Sequence, residues 1–200
     1  EMCIRDSKRA LTKRALDMLG KLAKDDQEKY AVFWKNFGAV MKEGPVEDYA
    51  NRDAVLKLLR FASTKAGTPE ENVSLADYVA RMPEKQKHIY YLTAGNFETA
   101  VSSPYLETFR RKGVEVLLMT QRIDERMMQG MTEFEGHEFI HVTASDLKLG
   151  ELADSEEEKK HEEVVRESSG LVERIKQALG DRVEGVRVSS RLVDSPSCLV

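Results

Sequence analysis

Two short apolar runs separated by a helical stretch constrain the fold of this chain more than any other feature of its sequence. The runs Ile89–Thr93 and Val114–Met119 carry apolar side chains at consecutive positions, which is typical of strands covered on both faces. The segment Gly95–Gly113 between them is long enough for a crossover helix and too long for a hairpin. Such a crossover is almost always right-handed. We therefore predict that the two strands are parallel neighbours in an α/β sheet with helices on both faces.

The flanking sequence extends this unit into a longer α/β arrangement. We predict a tail at residues 1–7, a helical segment at 8–60, and a small three-layer α/β/α subdomain with a mainly parallel sheet at 61–145. A stretch dominated by Glu and Lys at 146–160 is interpreted as a solvated linker. Residues 161–200 are expected to form a truncated α+β piece, because the chain stops among apolar residues with no closing element.

Periodic apolar residues predict the helices of the first part of the chain. From Lys8 onward one apolar face recurs at spacings of three and four, formed by Leu11, Ala15, Met18, Leu19 and Leu22. The basic residues opposite this face are interpreted as a solvated surface rather than a nucleic-acid site. Asp25 or Asp26 is expected to cap a second helix that runs to about Lys42. The stripe of this second helix consists of Tyr30, Phe33, Trp34, Phe37 and Met41.

Capping residues and turn residues place the remaining elements. The Gly44-Pro45 pair ends the second helix, and Ser74 caps a helix that closes by Pro83. The other predicted elements are a helix at Asp53–Phe61, a loop at 64–72, a helix at 102–113, a helix at Ile123–Met131, a turn at Phe134–Gly136 and a strand at Glu138–Val142. Near the end, Leu171, Ile175, Ala178 and Leu179 predict a helix capped by Gly180, and Val186–Leu192 predicts a strand.

Composition excludes several classes of function. The chain is 41% hydrophobic and 33% charged with a formal net charge of -4, so its balance favours neither nucleic acid nor an anionic membrane as a partner. No apolar run approaches the roughly 20 residues of a membrane helix, and the first residues show no secretory signal pattern. Cys3 and Cys198 lie at opposite ends of the chain, which fits a reducing compartment. We expect a cytoplasmic protein.

The segment His137-Glu138-Phe139-Ile140-His141 matches the zinc-hydrolase pattern His-Glu-x-x-His. That chemistry needs both histidines on one face of a helix, with the glutamate activating a zinc-bound water. Here Gly136 precedes the first histidine, and the intervening residues favour a strand. In a strand the two histidines would lie about 13 Å apart and could not share a metal. A chance match is the better interpretation, and a zinc metallohydrolase is the alternative function.

Other catalytic motifs are missing from the sequence. It contains no dinucleotide-binding Gly-x-Gly-x-x-Gly, no phosphate-binding Gly-x-x-x-x-Gly-Lys-Ser/Thr and no Gly-x-Ser-x-Gly nucleophile motif. Asp124 and Glu125 are adjacent acids, but neighbours on a helix face different directions, and the start of a helix explains them. We therefore predict no catalytic, cofactor-binding or metal-binding residue in this chain.

A group of soft apolar side chains on the predicted 123–131 helix is the most suggestive binding feature. Methionine side chains repack easily against varied apolar partners, so this group suits contact with non-native polypeptide. Packing into the core is the default role for such a cluster, and contact with a client is the hypothesis set beside it. The candidate client-binding residues are Arg126, Met127, Met128, Met131 and Phe134.

Seven stretches of the chain together resemble the heat shock protein 90 chaperones in their bacterial form. They are LTKRALDMLGKLAKDD, KEGPVEDYANRDAVLKLLRF, VSLADYVARM, QKHIYYLTAG, KGVEVLLMTQRIDE, MTEFEG and SRLVDSPSCLV. The resemblance runs in order from about Lys8 to Val200. One departure is Arg126, which stands where the bacterial relatives tend to carry an aromatic residue, and this weakens an apolar client patch at that position.

The resemblance implies a part of a larger ATP-dependent chaperone. Residues 8–145 would be the rear of its middle domain, and residues 161–200 the start of its C-terminal dimerisation domain. The full-length parent would be a homodimeric ATPase that uses ATP and magnesium, binds unfolded or partly folded client proteins and has co-chaperones as further partners. This chain would lack the ATP pocket and bind no cofactor. It would be a monomer without enzymatic activity, supplying client contact and coupling between domains.

Overall fold

A computed structural model describes residues 2–144, 163–189 and 192–198 of the chain, and the predicted linker at 146–160 lies outside these residues. The helices are α1 Met2–Asp25, α2 Gln27–Met41, α3 Gly44–Glu47, α4 Arg52–Leu56, α5 Leu75–Ala80, α6 Phe97–Val101, α7 Glu107–Arg111, α8 Arg122–Gln129 and α9 Ser169–Leu179. Single 3-10 turns occur at Tyr49–Asn51, Pro104–Leu106 and Gly180–Arg182. The strands are β1 Ala62–Ser63, β2 Ile89–Thr93, β3 Leu117–Met119, β4 Glu133–Phe134 and β5 His137–His141.

The five strands form one mixed sheet in the order β1-β3-β2-β5-β4. The predicted parallel pairing is confirmed, because β2 lies beside β3 with Tyr91 opposite Leu117. On its other side β2 also pairs in parallel with β5. The edge strands β1 and β4 are antiparallel to their neighbours. The sheet therefore has a parallel centre and antiparallel edges, and the prediction of a mainly parallel sheet holds only for its three central strands.

The central strands bury side chains on both faces of the sheet. Successive side chains of a strand point to opposite faces. Ile89 and Leu117 accordingly pack into one hydrophobic cluster with residues of α2, α4 and α8. Tyr90 and Leu118 pack into a second cluster with Leu106 and residues of α6 and α7. The central strands carry apolar residues at consecutive positions because each of their two faces is covered by one of these clusters.

The crossover between β2 and β3 contains two short helices instead of the single predicted helix at 102–113. Asn96 caps α6 by accepting a hydrogen bond from the backbone N–H of Thr99 at 2.8 Å. Pro104 then interrupts the path, because proline has no N–H for a continuous helical ladder. The chain passes through the Pro104–Leu106 turn before α7 begins at Glu107.

The predicted apolar face of α1 is only partly correct. Leu16, Leu19, Leu22 and Ala23 pack against the core. Leu11 and Met18 are 70% and 63% exposed, and Ala15 is exposed as well. Periodicity places the stripe, but contacts with the rest of the chain decide which part of it is covered. Residues 2–7, predicted as a tail, belong to α1, since extending an existing helix is easier than starting one.

The aromatic stripe of α2 is also divided between core and surface. Asp26 caps the helix by accepting from the backbone N–H of Lys29 at 3.0 Å, as one of the two predicted caps. Tyr30 and Trp34 are buried, whereas Phe37 is 54% exposed and stacks on Phe33. The aromatic stripe therefore extends beyond the part of α2 that packs against the core.

One predicted helix is shorter in the structure because its last residue takes part in a tertiary backbone pairing. The helix expected at Asp53–Phe61 stops at Leu56, although its apolar residues Val55, Leu56, Leu58, Leu59 and Phe61 are all buried. Phe61 instead exchanges backbone hydrogen bonds with Val73. The loop at 64–72 and the Ser74 cap of α5 are confirmed.

The predicted turn at Phe134–Gly136 lies within a hairpin that the sequence did not indicate. Glu135 and Gly136 have φ of 50° and 83°, and positive values at both central residues suit a two-residue hairpin turn. The turn joins β4 to β5, which begins one residue earlier than the predicted third strand. A two-residue strand such as β4 has too few residues to show alternation.

Downstream, α9 and its Gly180 cap are confirmed, with φ of 55° at the glycine. Its apolar stripe remains partly exposed, with Leu171 at 56%. The strand predicted at 186–192 is wrong for 186–189, which adopt no strand, while 190 and 191 lie outside the described residues. Alternation of apolar residues does not itself supply the neighbouring strand that a sheet requires.

We predict that Gly130→Ala destabilises the fold by about 1–3 kcal/mol through overpacking. A Cβ on Gly130 would lie 2.6 Å from the carbonyl oxygen of Pro45, where α8 meets α3. Gly20→Ala in α1 is the matched control, because a Cβ there meets nothing within 4 Å. This control should gain up to about 1 kcal/mol from helix propensity. Urea unfolding measures both variants, and an unchanged midpoint for Gly130→Ala would contradict the close approach.

Candidate functional site

The helical part and the sheet part meet around a buried lysine. Lys42 directly follows α2, and its side chain is completely buried. Its Nζ lies 2.6 Å from Glu71 Oε1 and 2.8 Å from Asp124 Oδ1, and 3.3 Å from Gln121 Oε1. The ammonium also lies 5.6 Å from the ring centre of Phe61. A buried lysine is costly without partners, so these carboxylates are needed to keep it there.

The two carboxylate partners of Lys42 each accept a further hydrogen bond that holds them in place. Glu71, at the end of the 64–72 loop, accepts a second hydrogen bond from Trp34 Nε1 at 3.0 Å. Asp124 lies in the first turn of α8 and accepts from the backbone N–H of Gln121 at 2.9 Å. Glu125, its neighbour, is exposed, so these two acids face different directions as predicted. The buried cluster therefore ties together α2, the loop and the start of α8.

A second set of contacts surrounds the cluster at the protein surface. Arg126 of α8 pairs with Glu47 of α3 at 3.1 Å. Arg52 donates to Thr132 Oγ1 at 3.0 Å, and its guanidinium carbon lies 5.7 Å from the ring centre of Tyr49. We call this set the junction surface and define it by Val46, Glu47, Tyr49, Arg52 and Arg126.

The junction surface carries two apolar side chains that sequence reasoning missed. Tyr49 is 79% exposed, and Val46 is 37% exposed. The available signal was an aromatic residue in a polar stretch just after Gly44-Pro45. Exposed tyrosine beside arginine is a common composition for surfaces that bind other polypeptides.

The five predicted client-binding residues separate into buried and exposed members. Met127, Met131 and Phe134 are at most 4% exposed and belong to the core cluster beneath the sheet. Met128 is partly buried against the same cluster. Arg126 remains on the surface, with its side chain 55% exposed. The methionines thus have the core-packing role, and of the five only Arg126 is openly available to a partner.

The two histidines of the His-Glu-x-x-His match lie on β5 rather than on a helix. His137 Nδ1 contacts the Lys87 carbonyl at 2.8 Å, while His141 Nε2 lies 3.0 Å from Thr93 Oγ1. Burial lowers the pKa of His141. At strand spacing the two residues are about 13 Å apart, and within the described parts of the chain no three potential ligands converge on one point. The geometry does not support the zinc metallohydrolase alternative.

Comparison with known proteins identifies the family to which this chain belongs. The model of the Hsp90 protein family matches residues 1–200, and the chain belongs to this family. The resemblance seen in the sequence is therefore confirmed.

The helices of the described residues include none that is both long and apolar enough to cross a membrane.

Two curated relatives show how much of a longer protein the chain covers. It is 54% identical over 191 residues to the chaperone protein HtpG of Shewanella halifaxensis (strain HAW-EB4), a match that covers 96% of this chain and 30% of the relative. The chaperone protein HtpG of Shewanella pealeana (strain ATCC 700345 / ANG-SQ1) gives the same identity and coverage. The chain thus spans about a third of the length of these relatives.

We predict that Lys42→Met destabilises the chain by about 3–5 kcal/mol, because it leaves Glu71 and Asp124 buried without their cation. Lys35→Met on the exposed side of α2 is the matched control and should change stability by less than about 0.5 kcal/mol. Urea unfolding followed by circular dichroism gives both values. A loss below about 1 kcal/mol for Lys42→Met would show that the cluster does not hold the junction.

Proposed function

We propose that this chain is part of an ATP-dependent molecular chaperone that binds and remodels unfolded or partly folded client proteins. Membership of the Hsp90 family supports this proposal, as does the high identity to proteins named chaperone protein HtpG. The nucleotide pocket, with its ATP and magnesium, lies in another part of the full-length protein. This chain is without ATPase activity of its own and supplies client contact and coupling between domains.

The same proposal assigns the parts of the chain to domains of the parent. Residues 8–60 and 61–145 are the helical segment and the three-layer subdomain of a middle domain. Residues 161–200 begin a dimerisation domain. The parent is a cytoplasmic homodimer that also works with co-chaperones, and this chain by itself is a monomer.

The junction surface is the proposed point of client contact. Its supporting observation is the position of Tyr49, which is 79% exposed next to Arg52. Tyrosine offers a rigid apolar ring and arginine offers several donors, so together they suit apolar side chains and unpaired carbonyls of a non-native chain. Arg126 adds further donors at the same place, although it is now paired with Glu47.

The buried cluster beneath this surface is the proposed route of coupling. Lys42 connects α2 to α8, and the Arg126–Glu47 pair connects α8 to α3. A client bound at Tyr49 therefore contacts elements that ion pairs connect to α8, which directly follows strand β3 in the chain. Motion of the helical segment and motion of the sheet are expected to occur together.

We predict that Tyr49→Ser weakens client binding about 5- to 10-fold, since removal of an exposed aromatic anchor typically costs more than 1 kcal/mol. Fluorescence anisotropy with labelled, reduced and carboxymethylated α-lactalbumin, a permanently unfolded client, measures the affinity. Leu11→Ser on α1 is the control, because Leu11 is similarly exposed, at 70%, and lies outside the junction surface. Client contact at the junction surface would be refuted if Tyr49→Ser bound the client as tightly as the unmodified chain. Equal losses of affinity in Tyr49→Ser and Leu11→Ser would refute it as well.

A further inference from the structure

The segment 192–198 docks on the first turn of α7 through one carboxylate. Glu107 Oε2 accepts from the backbone N–H groups of Val193 at 2.6 Å and Asp194 at 2.9 Å. The N–H of Ser195 lies 3.2 Å from Oε1, and the Ser195 hydroxyl donates to the same oxygen. Three successive backbone donors and one hydroxyl therefore converge on a single side chain more than 80 positions earlier in the sequence.

The local structure on both sides explains this contact. Successive N–H groups that point to one side of a turn form a natural binding site for an anion. Pro196 keeps Ser195 out of the helical region, which helps to hold the turn in shape. On the other side, Glu107 is the first residue of α7, and its carboxylate makes this long-range contact from there.

Polar bonds hold the segment more than apolar burial does. Val193 remains 44% exposed, and Asp194 is exposed as well. The hydrogen bonds from Ser195, Val193 and Asp194 lower the pKa of Glu107 to about 2, with the Ser195 hydroxyl as the largest cause. The carboxylate is therefore ionised at neutral pH, and hydrogen bonds to an ionised acceptor are the stronger kind.

We infer that Glu107 is a latch that holds the downstream segment 192–198 against the sheet part of the chain and can release it without unfolding the core. The latch sets where the chain beyond the predicted linker lies relative to β2 and β3. A role of this latch in coupling between domains rests on the proposed function. The contact itself is a property of this chain and is testable without any client.

Amide hydrogen exchange of the 200-residue chain, measured by NMR, tests the latch. Glu107→Gln removes the charge that the three N–H groups bind, and Ser195→Asp places a second carboxylate beside the first. Both variants should raise the exchange rates of the amides of 193–195 about tenfold or more, since hydrogen bonds to charged groups contribute on that order. The amides of β2 and β3 should keep the protection from exchange that they have in the unmodified chain.

Two controls match these changes in charge. Glu98→Gln removes an exposed acid from the first turn of α6, and Ser197→Asp adds a carboxylate two residues beyond the latch. Both control variants should leave the amide exchange rates of 193–195 within about twofold of those of the unmodified chain, as expected for surface changes. Unchanged exchange in both Glu107→Gln and Ser195→Asp, or equal increases in the controls, would overturn the latch.

A measurement on the unmodified chain covers the case in which a variant fails to fold. NMR titration of the Glu107 carboxyl should give a pKa near 2. A value near the ordinary 4.5 would show that the 193–195 amides do not bind it, and would overturn the latch. If the chain showed no client binding at the junction surface while this latch was intact, only the proposed function would be refuted.

Discussion

The burial of one charge, the ammonium group of Lys42, sets the arrangement of this chain. An ammonium removed from water must be matched by anionic or polar partners, and removal of the ammonium would leave Glu71 and Asp124 without their cation. The partners come from positions 71, 121 and 124, far from Lys42 in sequence. Their convergence is possible in very few relative placements of α2, the 64–72 loop and α8. The cluster therefore adds directional contacts between α2, the loop and α8 to the apolar packing of helices on the sheet.

The consequences extend from the cluster in two directions. Toward the sheet, β3 ends at Met119 and the chain reaches Asp124 within one turn of α8, so the parallel strands are directly linked to the ion pairs. Toward the surface, the fixed α8 brings Gly130 against Pro45 and Arg126 against Glu47. Tyr49 and Val46 therefore project from a surface whose neighbouring elements are in contact. A preorganised surface loses less conformational freedom on binding, which supports the proposed client contact.

Sequence reasoning succeeded where a local signal was strong. The apolar runs around Tyr91 and Leu118 predicted parallel, doubly covered strands, and Ser74 and Gly180 marked helix ends by their own chemistry. It failed where the outcome depended on distant residues. Periodicity could not show that Met18 stays exposed while Leu16 packs, or which residues of the α8 region reach the surface.

The site was the least predictable part for the same reason. Nothing near Lys42 distinguishes it from the other lysines of the chain, since its partners are brought to it only by the fold. The histidine pair gave a clear sequence signal and no site, because strand geometry separates the two rings. Glu107 likewise gains its role from a segment more than 80 residues away. Motif spacing reports on chemistry only when the local structure is the one that the motif requires.

We expect the helical part and the sheet part to unfold as one unit around the buried Lys42 cluster. Trp34, the single tryptophan, hydrogen-bonds to Glu71 and reports on the helical side. Amide protection of Tyr91 and Leu118 reports on the central strands of the sheet. Urea unfolding followed at both places should give coincident midpoints. A Trp34 transition at lower urea, with Tyr91 and Leu118 still protected, would contradict unfolding as one unit.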